Sequence, residues 1–251
     1  MIIYGINPVL EALRAGRVTV VRVSERHDDR LRALLQAAAS QRVRVEHVAS
    51  DVLARQARGG VHQGVVADLT ERQEFSVEEL VRGAASVPLI VVLDGVEDPH
   101  NVGAILRTAD AAGADGVVIQ SRRAAALDGA AAKASAGAVA HVRVAEVVNI
   151  ARALDELKAL GVWTVGLAAG IEARYDSLDL KVPTAIVLGA EGAGLRRLVR
   201  EKCDFLAAIP MRGHVDSLNV SVAAGVMLFE SVRQRQMAVQ DRPGGRKPRD
   251  A

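Results

Sequence analysis

Thr184-Ala185-Ile186-Val187-Leu188-Gly189-Ala190-Glu191-Gly192-Ala193-Gly194-Leu195 is the stretch on which the fold turns. Its opening run, Thr184 to Leu188, is hydrophobic without alternation, the mark of a strand covered on both faces and hence of a parallel sheet clothed by helices. The glycines that follow require the backbone to turn sharply or to pass close to a ligand. Their order is G-x-x-G-x-G, whereas a dinucleotide fold needs G-x-G-x-x-G, and the next strand ends in Ile209-Pro210 without an acidic residue. A nicotinamide enzyme is disfavoured on both counts. No Gly-Lys-Ser/Thr follows, so a P-loop fails as well.

Working outward, similar runs stand at Leu89 to Leu93, Gly116 to Gln120, Val162 to Leu167 and Phe205 to Ile209, alternating with helical segments and closing with a helix from about Asn219 to Gln236. Ligands of open parallel sheets gather outside the carboxyl ends of the strands. Three such loops hold unusual residues. Asp94-Gly95-Val96-Glu97-Asp98-Pro99-His100-Asn101-Val102-Gly103 leads into a helix carrying Arg107. Gly189 to Gly194 opens a helix over Leu195 to Lys202. Pro210-Met211-Arg212-Gly213-His214-Val215-Asp216-Ser217-Leu218-Asn219 opens the last helix.

Upstream, Asn7-Pro8 reads as a helix N-cap with proline at the first helical position, and the helix stops at Gly16. A strand at Val18 to Val23, a helix at Asp29 to Ser40, a strand at Val43 to Val48, a helix at Ser50 to Arg58 and a strand at Gly64 to Leu69 complete a small α/β unit of about 70 residues. The expected organisation is a substrate-binding domain over 1–70, a linker over 71–87 with a helical stretch at Val77 to Arg82, a catalytic domain over 88–238, and a solvated basic tail over 239–251.

Composition narrows the classes. Of 251 residues, 50% are hydrophobic and 25% charged, enough for one large core or two modest ones. The chain opens without a basic leader and apolar stretch, and no apolar run approaches the roughly 18 residues that span a bilayer, so a cytoplasmic, membrane-free protein is expected. The single Cys203 excludes an internal disulfide or a cysteine-rich zinc site and reads as a small buried hydrophobe. His27, His47, His62, His100, His141 and His214 have no metal-ligand spacing, so no metal is expected. Net charge is only +2, but 27 of the 32 basic residues are arginine, whose planar fork suits phosphate; an arginine-favouring genome explains this equally well. Aromatic content of 2% disfavours RNA binders that stack bases on rings.

The three loops together resemble the SpoU family of RNA ribose methyltransferases. Asn101-x-Gly103-x3-Arg107 looks like its first motif and Leu188-Gly189-Ala190-Glu191-Gly192-x-Gly194-Leu195 its second. Ile209-Pro210-Met211 with Ser217-Leu218-Asn219-Val220-Ser221-x-Ala223-x-Gly225 looks like its third. Lys133-x-Ser135-x-Gly137-Ala138 is similar to a weaker family segment. In the first 70 residues, Tyr4-Gly5-x-Asn7-x-Val9-Leu10-Glu11-Ala12-Leu13 and His62-Gln63-Gly64-Val65 look like the L30e/L7Ae-like substrate-binding domain of the subgroup that methylates guanosine in 23S rRNA.

The resemblance implies an α/β trefoil-knot (SPOUT) catalytic domain, which periodicity could not have suggested. It implies S-adenosylmethionine bound by Leu188, Gly189, Gly194, Ile209, Met211 and Leu218, and a homodimer formed through the knotted domain. It makes Arg107 catalytic, with Asn101, Glu191, Ser217 and Asn219 in support. A guanidinium keeps its proton at ordinary pH, so Arg107 is expected to hold the nucleotide phosphate and stabilise the ribose alkoxide, the proton going to the phosphate or to a transiently neutral Arg107. The implied substrate is 23S rRNA or a ribosomal assembly intermediate, recognised through phosphate and shape. Arg14, Arg22, Arg44 and His62 are candidate RNA contacts, among the basic residues Arg14, Arg17, Arg22, Arg26, Arg30, Arg42 and Arg44 of that half. Methylation of tRNA or of another rRNA nucleotide, including resistance-type methylation of adenosine, and a non-catalytic ribosome-assembly role stand as alternatives.

Overall fold

The computed structural model describes residues 2–24, 29–70, 73–121, 127 and 130–240; Arg26, His27 and the expected tail beyond 240 lie outside them. The chain begins β1 (Ile2–Tyr4), α1 (Ile6–Arg14), β2 (Val18–Val23), α2 (Asp29–Ser40), β3 (Arg44–His47), α3 (Ser50–Gln56), β4 (Val65–Leu69) and α4 (Val77–Arg82). It continues β5 (Leu89–Asp94), α5 (Pro99–Ala111), β6 (Gly116–Gln120), α6 (Ala130–Ala134), β7 (Val144–Val147), α7 (Ile150–Ala159) and β8 (Trp163–Leu167). Then come β9 (Thr184–Gly189), α8 (Arg197–Lys202), β10 (Phe205–Ala207) and α9 (Val220–Gln240). Packing divides it into two compact units. The first takes in Met1–Glu74, Glu97–Asp110 and Ala125–Val142, the second Phe75–Val96, Ala111–Ala124 and Arg143–Ala251.

The first unit holds a sheet ordered β1-β4-β2-β3, with β4 antiparallel to β1 and β2, and β3 parallel to β2. The first turn of α1 departs from expectation. Asn7 lies inside the helix, and the capping position is Gly5 at φ 95°. The Ile6 N–H donates instead to Gln63 Oε1 at 3.0 Å, so a side chain 57 residues away satisfies a donor that a local cap would have taken. Two glycines draw later segments into this unit. A Cβ on Gly103 of α5 would lie 2.5 Å from the Ala131 carbonyl oxygen and from Ala134 Cβ, and one on Gly137 would lie 2.4 Å from Glu11 Cβ. The Gly103 and Gly137 positions of the quoted motifs are thus places where neighbouring segments pack without room for a methyl, against backbone and Ala134 at Gly103 and against the Glu11 side chain at Gly137. Arg17 adds a hydrogen bond to the Ala140 carbonyl at 3.2 Å.

The second unit is built on a six-stranded sheet ordered β10-β8-β9-β5-β6-β7, every pair parallel. β5 is buried at all six positions, as its unbroken apolar run requires. β7 and α7 were not anticipated: β7 is a four-residue edge strand carrying Glu146, too short to show a pattern. α7 buries Ile150, Ala153, Leu154 and Leu157, a stripe at helical spacing, and Asn149 caps it by accepting from Arg152 N–H at 3.1 Å.

The helical stretch expected within the linker is more than a linker element. Ser76 and Glu79 form a capping box at the start of α4, and Val77 and Leu80 are buried in the core beside Leu154 and Leu157. Arg143 holds the far end, donating to the Gly83 carbonyl at 2.9 Å.

Arg235 ties α9 to the starts of two strands by donating to the carbonyls of Val87, Pro88, Leu180 and Val182, at 2.6 to 3.1 Å. Burial pulls its pKa down from the ordinary guanidinium value, with Asp115 opposing. Arg235→Met takes the guanidinium donor from the carbonyls of Val87 and Leu180, while Thr184 still donates to those of Pro88 and Val182, and it is expected to remove about 2 kcal/mol of stability, read as a lowered denaturant midpoint. An unchanged midpoint would show that water replaces the clamp without cost.

Candidate cofactor site

The ends of three strands of the second unit, β8, β9 and β10, and the start of α9 build one pocket. β9 ends in Gly189, and the chain folds straight back: Ala190 N–H donates to the Gly194 carbonyl at 3.1 Å and Gly194 N–H to the Ala190 carbonyl at 2.8 Å. Gly192 and Gly194 have φ of 75° and 67°, in the left-handed region that side chains avoid. A Cβ on Gly189 would stand 2.1 Å from the Gly194 carbonyl carbon and 2.3 Å from Leu195 N. The glycine spacing therefore makes a closed backbone loop on the strand end.

That loop is anchored by a pair not assigned from the sequence. Asp94, fully buried at the end of β5, accepts from Arg196 N–H at 2.8 Å and from Arg196 Nε at 2.6 Å, and Arg196 Nη2 also contacts it. A buried carboxylate is tolerable because both its oxygens are met by charge-assisted donors. The readable signal was an acidic residue ending an otherwise apolar strand.

The pocket encloses about 190 Å³ and opens to solvent. Leu188, Gly189, Gly194, Ile209, Met211 and Leu218, the six residues implied as cofactor contacts, all line it, as do Glu191 and Ser217. Leu167, Ala168 and Ala169 at the end of β8 complete one wall; they stand where ligands of parallel sheets gather but contain no chemically distinctive side chain. Asn219 stands at the start of α9, its Oδ1 accepting from Ser221 N–H at 2.9 Å and its carbonyl from Ala223 N–H at 3.0 Å. Asn101 and Arg107 belong to the first unit: Asn101 is buried on α5, and Arg107 is exposed. Cys203, half-buried against the Val199 carbonyl, has its thiol pushed up to about 12 by burial, and so stays protonated and inert.

The lining has a distinct electrostatic character: it includes the carboxylates Glu191 and Asp216 and no basic side chain. Such a cavity repels phosphate. It suits a ligand with apolar surface and positive charge, approached by backbone amides and carbonyls.

Residues 88–229 match the SpoU rRNA Methylase family, and residues 2–75 match the family described as RNA 2'-O ribose methyltransferase substrate binding. The chain belongs to the SpoU family of methyltransferases, with the α/β trefoil-knot class of catalytic domain and a small N-terminal α/β domain. Among its relatives, the 23S rRNA (guanosine-2'-O-)-methyltransferase RlmB of Pseudomonas aeruginosa is 46% identical over 239 residues, 93% of this chain and 96% of that one. The SpoU methyltransferase AviRb from Streptomyces viridochromogenes, solved in complex with AdoMet, aligns with a TM-score of 0.79 at 27% identity over 94% of this chain and 91% of that one. An AdoMet-bound rRNA methyltransferase from Sinorhizobium meliloti aligns with a TM-score of 0.76 at 28% identity, covering 92% and 86%.

S-adenosylmethionine fits the residues present. Gly189 leaves space where any side chain would collide with the loop, apolar walls come from Leu188, Ile209, Met211 and Leu218, and two carboxylates face a cofactor that is cationic at sulfur and at its amine.

Proposed function

We propose that this protein methylates the ribose 2'-hydroxyl of a guanosine in 23S rRNA, on naked RNA or on an assembling large subunit. The observation that carries the reading is the pocket of the second unit, acidic and apolar, built from the same glycine and strand-end residues that give the family its motifs. The guanosine and the 23S rRNA rest on the name of the P. aeruginosa relative. Ribosomal RNA as substrate puts the enzyme's work in the cytoplasm; among the described residues no helix is long and apolar enough to cross a membrane.

S-adenosylmethionine, when bound, supplies a methyl group on an electrophilic sulfonium, so the protein's contribution is alignment and charge. Leu188, Ile209, Met211 and Leu218 hold the cofactor's apolar surface, and Gly189 and Gly194 let backbone approach it. Glu191 orders the loop. Asn219 fixes the start of α9, and Ser217 hydrogen-bonds in the pocket. Arg107 grips the substrate phosphate and lies against the ribose oxygen, stabilising negative charge there as the proton departs to the phosphate. Asn101, buried one and a half turns earlier on the same helix, steadies Arg107's helix face or the ribose.

For RNA contact, the first unit's arginines divide. Arg22 is drawn into ion pairs with Glu46 and Asp68, with its side chain only 17% exposed, and holds β2 to its neighbours; this differs from the free surface arginine expected. Arg14 pairs with Glu11 and Arg44 with Glu46, but both remain largely exposed and keep donors for phosphate. His62 accepts from Gly64 N–H at 3.1 Å through Nδ1, so its Nε2 carries the proton and donates.

We infer a homodimer through α9. Val222, Phe229 and Met237, spaced seven and eight residues apart, lie along one side of that helix and are each about half exposed. Phe229→Asp is expected to convert the protein to monomers in sedimentation; an unshifted dimer would move the interface elsewhere.

The test of the activity is transfer of labelled methyl from S-adenosylmethionine to transcribed 23S rRNA, followed by nucleoside digestion. Label in 2'-O-methylguanosine is expected. Label on a base, in 2'-O-methyladenosine, or only with tRNA would overturn the substrate assignment.

A further inference from the structure

Lys133-x-Ser135-x-Gly137-Ala138, the weaker of the family-like segments, contributes nothing to the lining of the cofactor pocket. It belongs to the first unit, where it runs from α6 into a short 3-10 turn, Ala138–Ala140, and it touches the helix of Arg107 on one side and the N-terminal domain on the other. We propose that this segment is a brace through which the N-terminal domain sets the position of Arg107, and that Arg17 and Gly137 are positioning residues for methyl transfer. The proposal rests on the reading of Arg107 as the group that meets the ribose.

On the α5 side the contact is made by backbone. A Cβ on Gly103 would fall 2.5 Å from the Ala131 carbonyl oxygen and 2.9 Å from Ser135 N, so α5 lies directly on the main chain of α6 and of the residue that follows it. Ala131 and Ser135 are both buried. Arg107 follows Gly103 by four residues, about one turn, and so rises from the same side of α5. Close-packed segments transmit a displacement rather than absorb it, and a shift of α6 is therefore a shift of the helix face that presents Arg107.

On the other side the N-terminal domain holds residues 137–140. Gly137, at φ 99°, lies so close to α1 that a Cβ would stand 2.4 Å from Glu11 Cβ. Arg17, in the turn between α1 and β2, reaches across to the segment: its Nη1 donates to the Ala140 carbonyl at 3.2 Å and its Nε to Thr70 Oγ1 at 3.1 Å. Arg17 is itself fixed by main chain, its N–H donating to the Ala12 carbonyl at 3.0 Å and its carbonyl accepting from Thr70 N–H at 2.8 Å. The end of α1, the end of β4 and the turn before β2 thus converge on one side chain.

Between its two attachments the segment is short and stiff. Ser135 N–H donates to the Ala131 carbonyl at 2.9 Å, Ala138 N–H to the Ser135 carbonyl at 3.1 Å and Ala140 N–H to the Gly137 carbonyl at 2.9 Å, and Ala138, Val139 and Ala140 are buried. Hydrogen-bonded backbone therefore runs without a break from the contact at Gly103 to the contact at Arg17. Residues 2–75 match a substrate-binding family and residues 88–229 a methylase family, and this path joins those two stretches of chain inside one compact unit. RNA engaged by the first stretch bears, through the brace, on the helix that carries Arg107.

The test measures single-turnover methyl transfer by the full chain at saturating 23S rRNA and S-adenosylmethionine. Arg17→Met cuts the tie to Ala140, and Gly137→Ala pushes the segment away from α1. Each is expected to slow transfer about 10-fold while the affinities for 23S rRNA and S-adenosylmethionine stay within twofold, because misplacing an aligned group costs rate rather than binding. In an Arg107→Ala background the same substitutions should cost nothing further, since their effect runs through Arg107. Arg17→Met keeps an apolar stem and carries the test alone should Gly137→Ala fail to fold. Full rates in the folded variants would overturn the brace. A loss that multiplies with that of Arg107→Ala would overturn it as well, as would weaker 23S rRNA binding with an unchanged saturated rate. Near-normal transfer by Arg107→Ala alone removes the role of Arg107, and the brace with it; a slow Arg107→Ala enzyme beside full-rate Arg17 and Gly137 variants removes the brace only.

Discussion

Arg107→Ala is expected to slow single-turnover methyl transfer about 10²- to 10³-fold while leaving S-adenosylmethionine affinity within twofold. The magnitude is that of removing one preorganised group from a site where negative charge develops. Arg107 is exposed on α5 and has no place in a core, so the protein should fold, and none of the pocket's lining residues belongs to that helix. Arg107→Lys separates the possible roles. Lysine keeps the charge but not the planar fork, so an intermediate rate indicates electrostatic help and a rate as low as alanine's indicates bidentate grip on phosphate and ribose. Near-normal rates in both variants would remove Arg107 from the mechanism.

Gly189→Ala is expected to weaken S-adenosylmethionine at least 30-fold by calorimetry, with methylation falling in parallel. The added carbon would lie 2.1 Å from the Gly194 carbonyl carbon, and the obstacle is backbone, which cannot rotate away. Either the 190–194 turn opens or the strand end shifts, each at a cost of roughly 2 to 3 kcal/mol by the ordinary penalty for overpacking. Gly213→Ala is the control: it has open space around its Cβ position and an ordinary φ, and should behave as wild type. Equal binding by the Gly189 and Gly213 variants would mean that the turn does not shape the cofactor site.

Much of the candidate cofactor pocket could be read because glycines and strand ends leave local marks. Thr184 to Leu188 announced a buried parallel strand, and the turn after it announced close backbone approach; all six residues named as cofactor contacts line one pocket. The misses share a physical cause, since each depends on a partner distant in sequence. Asp94 stands in the sequence only as the first residue of a strand-end loop; Arg196, 102 positions later, meets both its oxygens. Asn7 has the composition of a helix cap, but Gln63 delivers the acceptor from 57 positions away. Arg22 looked like a phosphate contact because its acidic partners, Glu46 and Asp68, arrive on neighbouring strands. Local pattern records what a residue can do; pairing across the sheet decides what it does.

The structure of this chain crystallised with S-adenosylmethionine tests the central claim most directly. The account predicts the cofactor seated on the 188–194 turn, against Ile209, Met211 and Leu218, with Leu167 to Ala169 beside it and Glu191 or Asp216 toward its positive charge. Cofactor density in the first unit, or in the second unit away from Gly189, would contradict it.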